Sequence, residues 1–334
     1  GFLFDWLTRV AYHDLMIHIP WLYRRFFAYT GSLEPGSLFQ KIIESCGRRR
    51  FLRYLRRNHP VLLISTFPVP SAVTSHLKRK GLLSSPLATV VTDYTLHRQW
   101  VQPGTDLYIV ADDSVAEAMA KVGVPRSRIK VTGIPIDPRF GEGRSLGVGA
   151  LLPGLSPEGE KGSPLVLVLN GATGFRGELP SICRLLAEFP LPLVAVVLGV
   201  NHPGVRLALR SSVRNGRNRV LVLGYSRQVP EFMRAATCLI SKGGGITVSE
   251  ALAAELPMII YKPLPCQEED NRDFMVKRGA ALAPATIGEL AEALERLLTE
   301  PSLRERMREA ASRLKKPDAA HRIALLLRPY IIDG

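Results

Sequence analysis

Cysteine is scarce and scattered in this sequence: Cys46, Cys183, Cys238 and Cys266 are the four, and no two share a C-x-x-C spacing. That argues against a disulfide framework or a zinc site and fits a reducing compartment. Long apolar runs are missing too. No stretch reaches the roughly 18–20 residues that a membrane-crossing helix needs, and the opening residues lack the order of a secretory signal. There is no low-complexity tract and no short-period repeat, and no cluster of Asp, His and Cys suggests a metal. The chain starts at Gly1, not at Met, with a helix-like pattern already under way. A segment upstream is therefore expected.

Negative charge is in deficit, with 30 Asp and Glu against 44 Lys and Arg. The imbalance is uneven: residues 1 to 150 carry 20 basic against 11 acidic side chains, the remainder 24 against 19. Its densest piece is GRRRFLRYLRR, Gly47 to Arg57, in which Phe51, Leu52 and Leu55 share one side of a helix and Arg53 and Arg56 lie elsewhere. Such a basic amphipathic helix can serve an anionic lipid surface, nucleic acid, or solubility alone. Upstream, Trp21 stands beside Arg24 and Arg25 in an aromatic and cationic mixture suited to a membrane interface. A membrane surface is the expected partner. Nucleic acid is not, because aromatics are not interleaved with the basic residues across a strand platform.

At 334 residues and 46% hydrophobic composition, the chain can bury two ordinary cores. From Val61, short β-rich runs alternate with helical periods: VLLIST, ATVVTD, DLYIVAD and RIKVTG are strands, with SAVTSHLKRKG and SVAEAMAKVG as helices between them. Alternation of this kind implies parallel strands with right-handed crossovers, a doubly wound sheet. Ligands on such sheets sit at the strand carboxyl ends, which draws notice to Thr66, Thr92, Asp93 and Asp112. Residues 141–164 are rich in Gly, Pro and Ser and read as a linker. The pattern then restarts in PLVLVLNGA, PLVAVVLG, RVLVLGY, TCLIS and PMIIYK. The expected organisation is a first lobe over 1–140, the linker, a second lobe over 165–316, and a C-terminal helix over 317–334 that packs back on the first lobe.

Three loops of the second lobe stand at strand ends: LNGATG, with Asn170, Gly171, Thr173 and Gly174; SKGGG, with Gly243, Gly244 and Gly245; and KPLPCQEEDN, with Gln267, Glu268 and Asn271. The glycine run enters an alanine-rich helix, ITVSEALA. First-turn N–H groups lack internal partners and suit an anion such as phosphate. A plainer reading coexists: Thr247 and Glu250 form T-x-x-E, a capping box. Taken together, the loops fit a diphosphate at the helix mouth, a carboxylate for ribose hydroxyls, and polar groups for a sugar.

SKGGGITVSEALAAELPMIIYKPLPCQEEDN resembles the donor-binding signature of the monogalactosyldiacylglycerol synthase and processive diacylglycerol glucosyltransferase family. These are relatives of the lipid-linked N-acetylglucosaminyltransferase of cell-wall synthesis. VVTDYTLHRQWVQPGTDLYIV and RIKVTGIPIDPRF are similar to that family's first-lobe segments in order and spacing, and the likeness runs from about Trp21 to Ala311. It implies an α/β fold of two doubly wound, Rossmann-like lobes facing across a cleft, the GT-B glycosyltransferase architecture. It also implies an inverting hexosyl transfer from UDP-glucose or UDP-galactose to diacylglycerol or a glycosyldiacylglycerol, with no metal and no cofactor, on the inner face of the cell membrane. Carried over by position, Gly243, Gly244, Gly245, Ile246 and Thr247 lie along the diphosphate, Glu250 binds ribose, Gln267, Glu268 and Asn271 the sugar, and the stretch from Tyr225 frames uracil. His97, Asp93 and Trp100 are candidates for the acceptor side.

One departure stands out. The family opens with a strand and a glycine-rich loop ending in the histidine taken as general base, and neither precedes Phe2. Either an upstream segment supplies them, or the rate falls by about 10²- to 10⁴-fold. The first sheet should then be open beside VLLIST. The rivals are a UDP-N-acetylglucosamine transferase acting on a polyprenyl-linked precursor and a catalytically impaired UDP-sugar-binding protein. Nothing in the sequence fixes the oligomeric state or the hexose.

Overall fold

The structure is a computed structural model that describes residues 20–32, 48–142, 151, 163–171, 174–175 and 177–332. Most of the expected linker, and Thr173, lie outside the described residues. The chain divides into two compact units, Gly1–Pro135 with Pro265–Gln267 and Asp318–Gly334, and Ile136–Leu264 with Glu268–Pro317.

In the first unit, helices α1 (Pro20–Ser32) and α2 (Arg48–Asn58) precede β1 (Leu63–Ser65), α3 (Pro68–Arg79), β2 (Leu87–Val90), β3 (Leu107–Val110), α4 (Asp113–Lys121) and β4 (Ile129–Val131). The four strands form one parallel sheet in sequence order. Side chains alternate across it, as a strand's period of two requires. Tyr108 and Val110 face Trp100, Val115 and Met119 on one side. Leu107 and Ile109, with Ala88 and Val90, meet Ile323 and Leu327 of the C-terminal helix on the other. That double cover explains why every residue of β2 and β3 is buried, Thr89 included, whose hydroxyl lies 3.2 Å from that of Ser71.

Edge strand β1 is different: among the described residues its one ladder neighbour is β2, and Ile64 is 55% exposed. A cavity of about 510 Å³ opens near its amino end, lined by Leu55, Arg56, His59, Val61, Leu82 and Ser85 among others. Helix α2 turns its apolar stripe inward. Leu55 is buried with Val73 and Leu77, and Phe51 and Leu52 pack against them, while Arg53, Tyr54, Arg56 and Arg57 are exposed. The stripe is thus part of the fold, and the outer face offers charge.

The second unit runs β5 (Leu165–Leu169), α5 (Leu179–Glu188), β6 (Val194–Leu198), α6 (Pro203–Ser212), β7 (Arg219–Val222), α7 (Val229–Ala235), β8 (Cys238–Ser241), α8 (Gly245–Ala253), β9 (Met258–Ile260), α9 (Gln267–Lys277), β10 (Ala281–Leu282), α10 (Ile287–Thr299) and α11 (Pro301–Leu314). All six strands are parallel, in the order β10-β9-β8-β5-β6-β7. Strands β5 and β6 pair from Leu165↔Val194 to Leu169↔Leu198. Helix α5 buries Leu179, Ile182, Cys183, Leu186 and Ala187, one apolar stripe at helical spacing. Each large side chain of that stripe contributes about 1.5–3 kcal/mol.

Buried Asn218 ties the end of α5 to the start of β6. Its Nδ2 donates to the Leu186 and Phe189 carbonyls at 3.2 and 2.8 Å, and its Oδ1 accepts from Leu193 N–H at 3.0 Å. Two features depart from the sequence reading. Strand β10, two residues long, is too short to leave a pattern. The polar stretch read as a loop through Asn271 becomes helix at Gln267, because Glu268, Glu269 and Asp270 fill a first turn that favours negative charge.

Candidate functional site

The strand order of the second sheet reverses once. From β5 the chain steps outward through β6 and β7, then returns to β8 on the other side of β5 and steps away through β9 and β10. Right-handed crossovers in opposite directions put the helices after β5 and β8 on opposite faces, leaving a crevice between the two strand ends. Both glycine loops emerge there.

The loop after β5 is braced by Asn170. Its N–H donates to Leu198 O at 3.0 Å, and its Oδ1 accepts from Phe175 N–H at 3.2 Å across the turn. Gly171 and Gly174 hold φ values of +65° and +64°, a region that L side chains rarely adopt. Buried Phe175 anchors the far end of the turn.

After β8, Gly243 has φ +90°, and a Cβ there would stand 3.0 Å from Ile260 Cγ2. The fold itself thus requires glycine at 243. At Gly244, by contrast, a Cβ would face the Glu268 carboxylate at 3.6 Å, an ordinary contact. Gly244 is the N-cap of α8, with no side-chain cap, and the first helical bond is Val248 N–H to Gly244 O at 2.9 Å. The N–H groups of Gly245, Ile246 and Thr247 therefore lie ahead of the bonded helix and carry its positive end. Thr247 is inside the first turn and caps nothing, so the capping-box reading of Thr247 and Glu250 is corrected: the cap position belongs to Gly244.

Glu250 follows Thr247 by three residues, on the same helical face. Burial pushes its carboxyl up from 4.5 to about 7, and the nearby Asp137 charge adds to the rise. Asp137 itself is held below the usual carboxylate range by hydrogen bonds from Arg139, whose Nε and Nη2 donate at 3.0 and 2.8 Å. Glu268, in the first turn of α9, accepts from Leu264 N–H at 2.6 Å through Oε2, and its Oε1 is the atom a Cβ at Gly244 would face.

Asn271, expected at the sugar, is 1% exposed, and its Nδ2 donates to Gly243 O at 3.1 Å. That corrects its role: a buried amide fixes the glycine loop from behind instead of meeting a ligand. Gln267 groups with the first unit, where its Oε1 accepts from Tyr23 OH at 3.5 Å. Tyr225, beyond the end of β7, is 80% exposed.

In the first unit, Trp100 is 2% exposed and donates through Nε1 to Asp93 at 3.3 Å. A side chain so buried meets neither membrane nor acceptor, which corrects that expectation. His97 has both ring nitrogens engaged. Nε2 lies 3.2 Å from Phe27 O, Nδ1 accepts from Gln99 N–H at 3.3 Å, and burial lowers its pKa despite the bond to Phe27. That bonding leaves no ring lone pair for an acceptor hydroxyl. Asp112 caps α4 by accepting from Ser114 N–H at 2.9 Å. Trp21, Arg24, Arg25, Arg53 and Arg56 are exposed. Sequence reasoning passed over Asp137 and Lys242; for the latter, a lysine beside a glycine run at a strand end was the available signal.

Comparison with known proteins gives the family and the fold. The family model for monogalactosyldiacylglycerol (MGDG) synthase matches residues 3–136, and that for glycosyl transferases group 1 matches residues 186–314. A processive diacylglycerol beta-glucosyltransferase from Bacillus cytotoxicus is 33% identical over 282 residues, 84% of this chain and 71% of that protein. One of the same name from Bacillus subtilis is 34% identical over 263 residues, covering 79% and 67%. Among solved structures, Acinetobacter baumannii MurG superposes with a TM-score of 0.62 at 15% identity, covering 84% of this chain and 78% of that one. Staphylococcus aureus MnaA, solved with UDP, does so with a TM-score of 0.63 at 16% identity, covering 87% and 82%. At such identities the structural likeness speaks for the fold alone, and that fold is the two-lobed GT-B architecture.

Proposed function

Since the chain belongs to the family of processive diacylglycerol beta-glucosyltransferases, we propose that it transfers a hexose, glucose in the first instance, from a UDP-sugar to diacylglycerol or a glycosyldiacylglycerol. The observation that carries the donor half is the uncapped mouth of α8 at the strand reversal, with Glu250 one turn inside it.

In this reading the diphosphate lies against Gly243–Thr247, where main-chain N–H groups and the helix dipole meet its charge. Glu250 accepts from the ribose hydroxyls. A carboxylate repels phosphate, so Glu268 Oε1 serves sugar hydroxyls beside it. Asn170 and Asn271 position the two glycine loops without touching the donor, and Tyr225 offers an exposed ring to uracil. The acceptor oxygen then bonds to the anomeric carbon, with inversion. The carbon–oxygen bond to UDP breaks, its electron pair passes to the β-phosphate, and the hydroxyl proton goes to a base. The reading invokes no cofactor and no metal.

The acceptor lies in a membrane, and the exposed arginines of α2 together with Trp21, Arg24 and Arg25 support peripheral attachment to an anionic, cytoplasmic leaflet. Because Phe51, Leu52 and Leu55 of α2 pack against the fold, attachment through α2 rests on its exposed arginines and weakens with salt.

The full chain should be incubated with diacylglycerol in anionic mixed micelles and, separately, UDP-glucose, UDP-galactose and UDP-N-acetylglucosamine. Glucosyldiacylglycerol is the expected product. Transfer from UDP-N-acetylglucosamine alone, or no transfer from any donor while UDP binds, would overturn the assignment.

A further inference from the structure

The mouth of α8 is lined by acidic side chains, Glu250 and Glu268, yet its proposed guest carries two to three negative charges. Main-chain dipoles alone leave that balance poor. Among the described residues a buried cation stands at the reversal: Lys242, between the last residue of β8 and Gly243, is only 5% exposed. Lysine is almost never buried so deeply unless paired, and polar interactions with the protein do hold it.

Its side chain runs across to the neighbouring loop. A Cβ on Gly171 would lie 3.8 Å from Lys242 Cε and 3.9 Å from Nζ, and Gly171, at φ +65°, begins the turn after β5. The ammonium, carried from the end of β8, therefore lies beside the turn that follows β5.

We propose that Lys242 is the cation that meets the donor's diphosphate, so that UDP leaves against a fixed ammonium as well as the N-terminus of α8. The inference rests on the donor site proposed above. As the bond from the anomeric carbon to the bridging oxygen breaks, its electron pair adds one charge to the β-phosphate, and Lys242 is positioned to offset it in a site of low dielectric. A Cβ at 171 would only touch the ammonium at ordinary contact distance, so it is the φ of +65° that favours glycine in this turn.

The alternative is a purely structural lysine that pins the Gly171 turn, and the two roles separate by ligand. Calorimetry on the full chain should compare wild type, Lys242→Met and Lys242→Arg, each against UDP and uridine, with thermal unfolding to check the fold. The expected result is a loss of about tenfold or more in UDP affinity for Lys242→Met, uridine affinity unchanged, and most UDP affinity kept by Lys242→Arg. Equal losses for UDP and uridine, or no loss in Lys242→Met while wild type binds UDP, would overturn the role of Lys242 alone. Wild type that binds neither ligand would overturn the donor site, and the lysine's role with it. If Lys242→Met unfolds, Lys242→Gln is read by the same comparison.

Discussion

The two sheets are built from the same β-α-β material, yet only one of them reverses. In the second unit β5 is flanked by β6 and β8, and the chain leaves it in both directions. In the first, β1 to β4 lie side by side in sequence order, with no reversal among the described residues. A crevice at strand carboxyl ends comes from a reversal and not from strand count. The second sheet therefore holds two glycine turns and an open helix mouth at one place. In the first, Asp112 caps a helix, Asp93 accepts from Trp100, and His97 is bonded at both nitrogens, so these three polar groups are absorbed by the fold. What the first unit presents outward is a mixture of charge and apolar side chains, Arg53 and Arg56 with Trp21, Tyr54 and Ile64.

The comparison can be broken most forcefully through Trp100. Replacing this buried ring by alanine should destabilise the first unit by about 3–5 kcal/mol, read as a fall in denaturant midpoint, while UDP affinity below the transition stays at the wild-type value. Loss of UDP binding in the still-folded variant would mean that the two units do not divide the work this way.

A smaller effect sharpens the account of Glu250. Its folded pKa, about 7, lies above the ordinary 4.5, so between those values the folded chain keeps a proton that the unfolded chain has released. Stability from this group is complete below about pH 4.5 and is lost as pH rises through 7. Glu250→Gln, which holds no charge in either state, should equal wild type near pH 4 and exceed it at pH 8 by roughly 1–3 kcal/mol. A constant difference across that range in chemical denaturation would show that burial does not hold the carboxyl up.

The smallest effect concerns the surface. Arg53→Ala should weaken binding to vesicles containing anionic lipid by about 1 kcal/mol, with UDP affinity untouched and the deficit shrinking as salt rises. Equal binding of both proteins at low salt would remove α2 from the attachment.

Much of this was legible in the sequence, for identifiable reasons. The β-rich runs of the second lobe are buried on both faces and stay continuously apolar, so LVLVL and VAVVL announce central parallel strands. The glycine run before an alanine-rich helix announced a mouth, because no side chain can hide a missing cap. Depth was not legible. Asn271, Trp100 and His97 are residue types that serve equally well inside and at a site, and only packing shows that the first braces Gly243 from behind and the second fills a core. Two prolines concealed the start of α9 despite three acidic residues in its first turn. The crowding that bars a side chain at 243 comes from Ile260, seventeen positions later in the chain, and no local pattern carries that.

The most direct test of the donor site is calorimetric titration of UDP into wild type and Glu250→Ala. The account predicts about 10- to 100-fold weaker binding in the variant at pH 8, where the carboxylate is ionised and accepts hydrogen bonds of the charged kind. Equal affinity in the two proteins would contradict it.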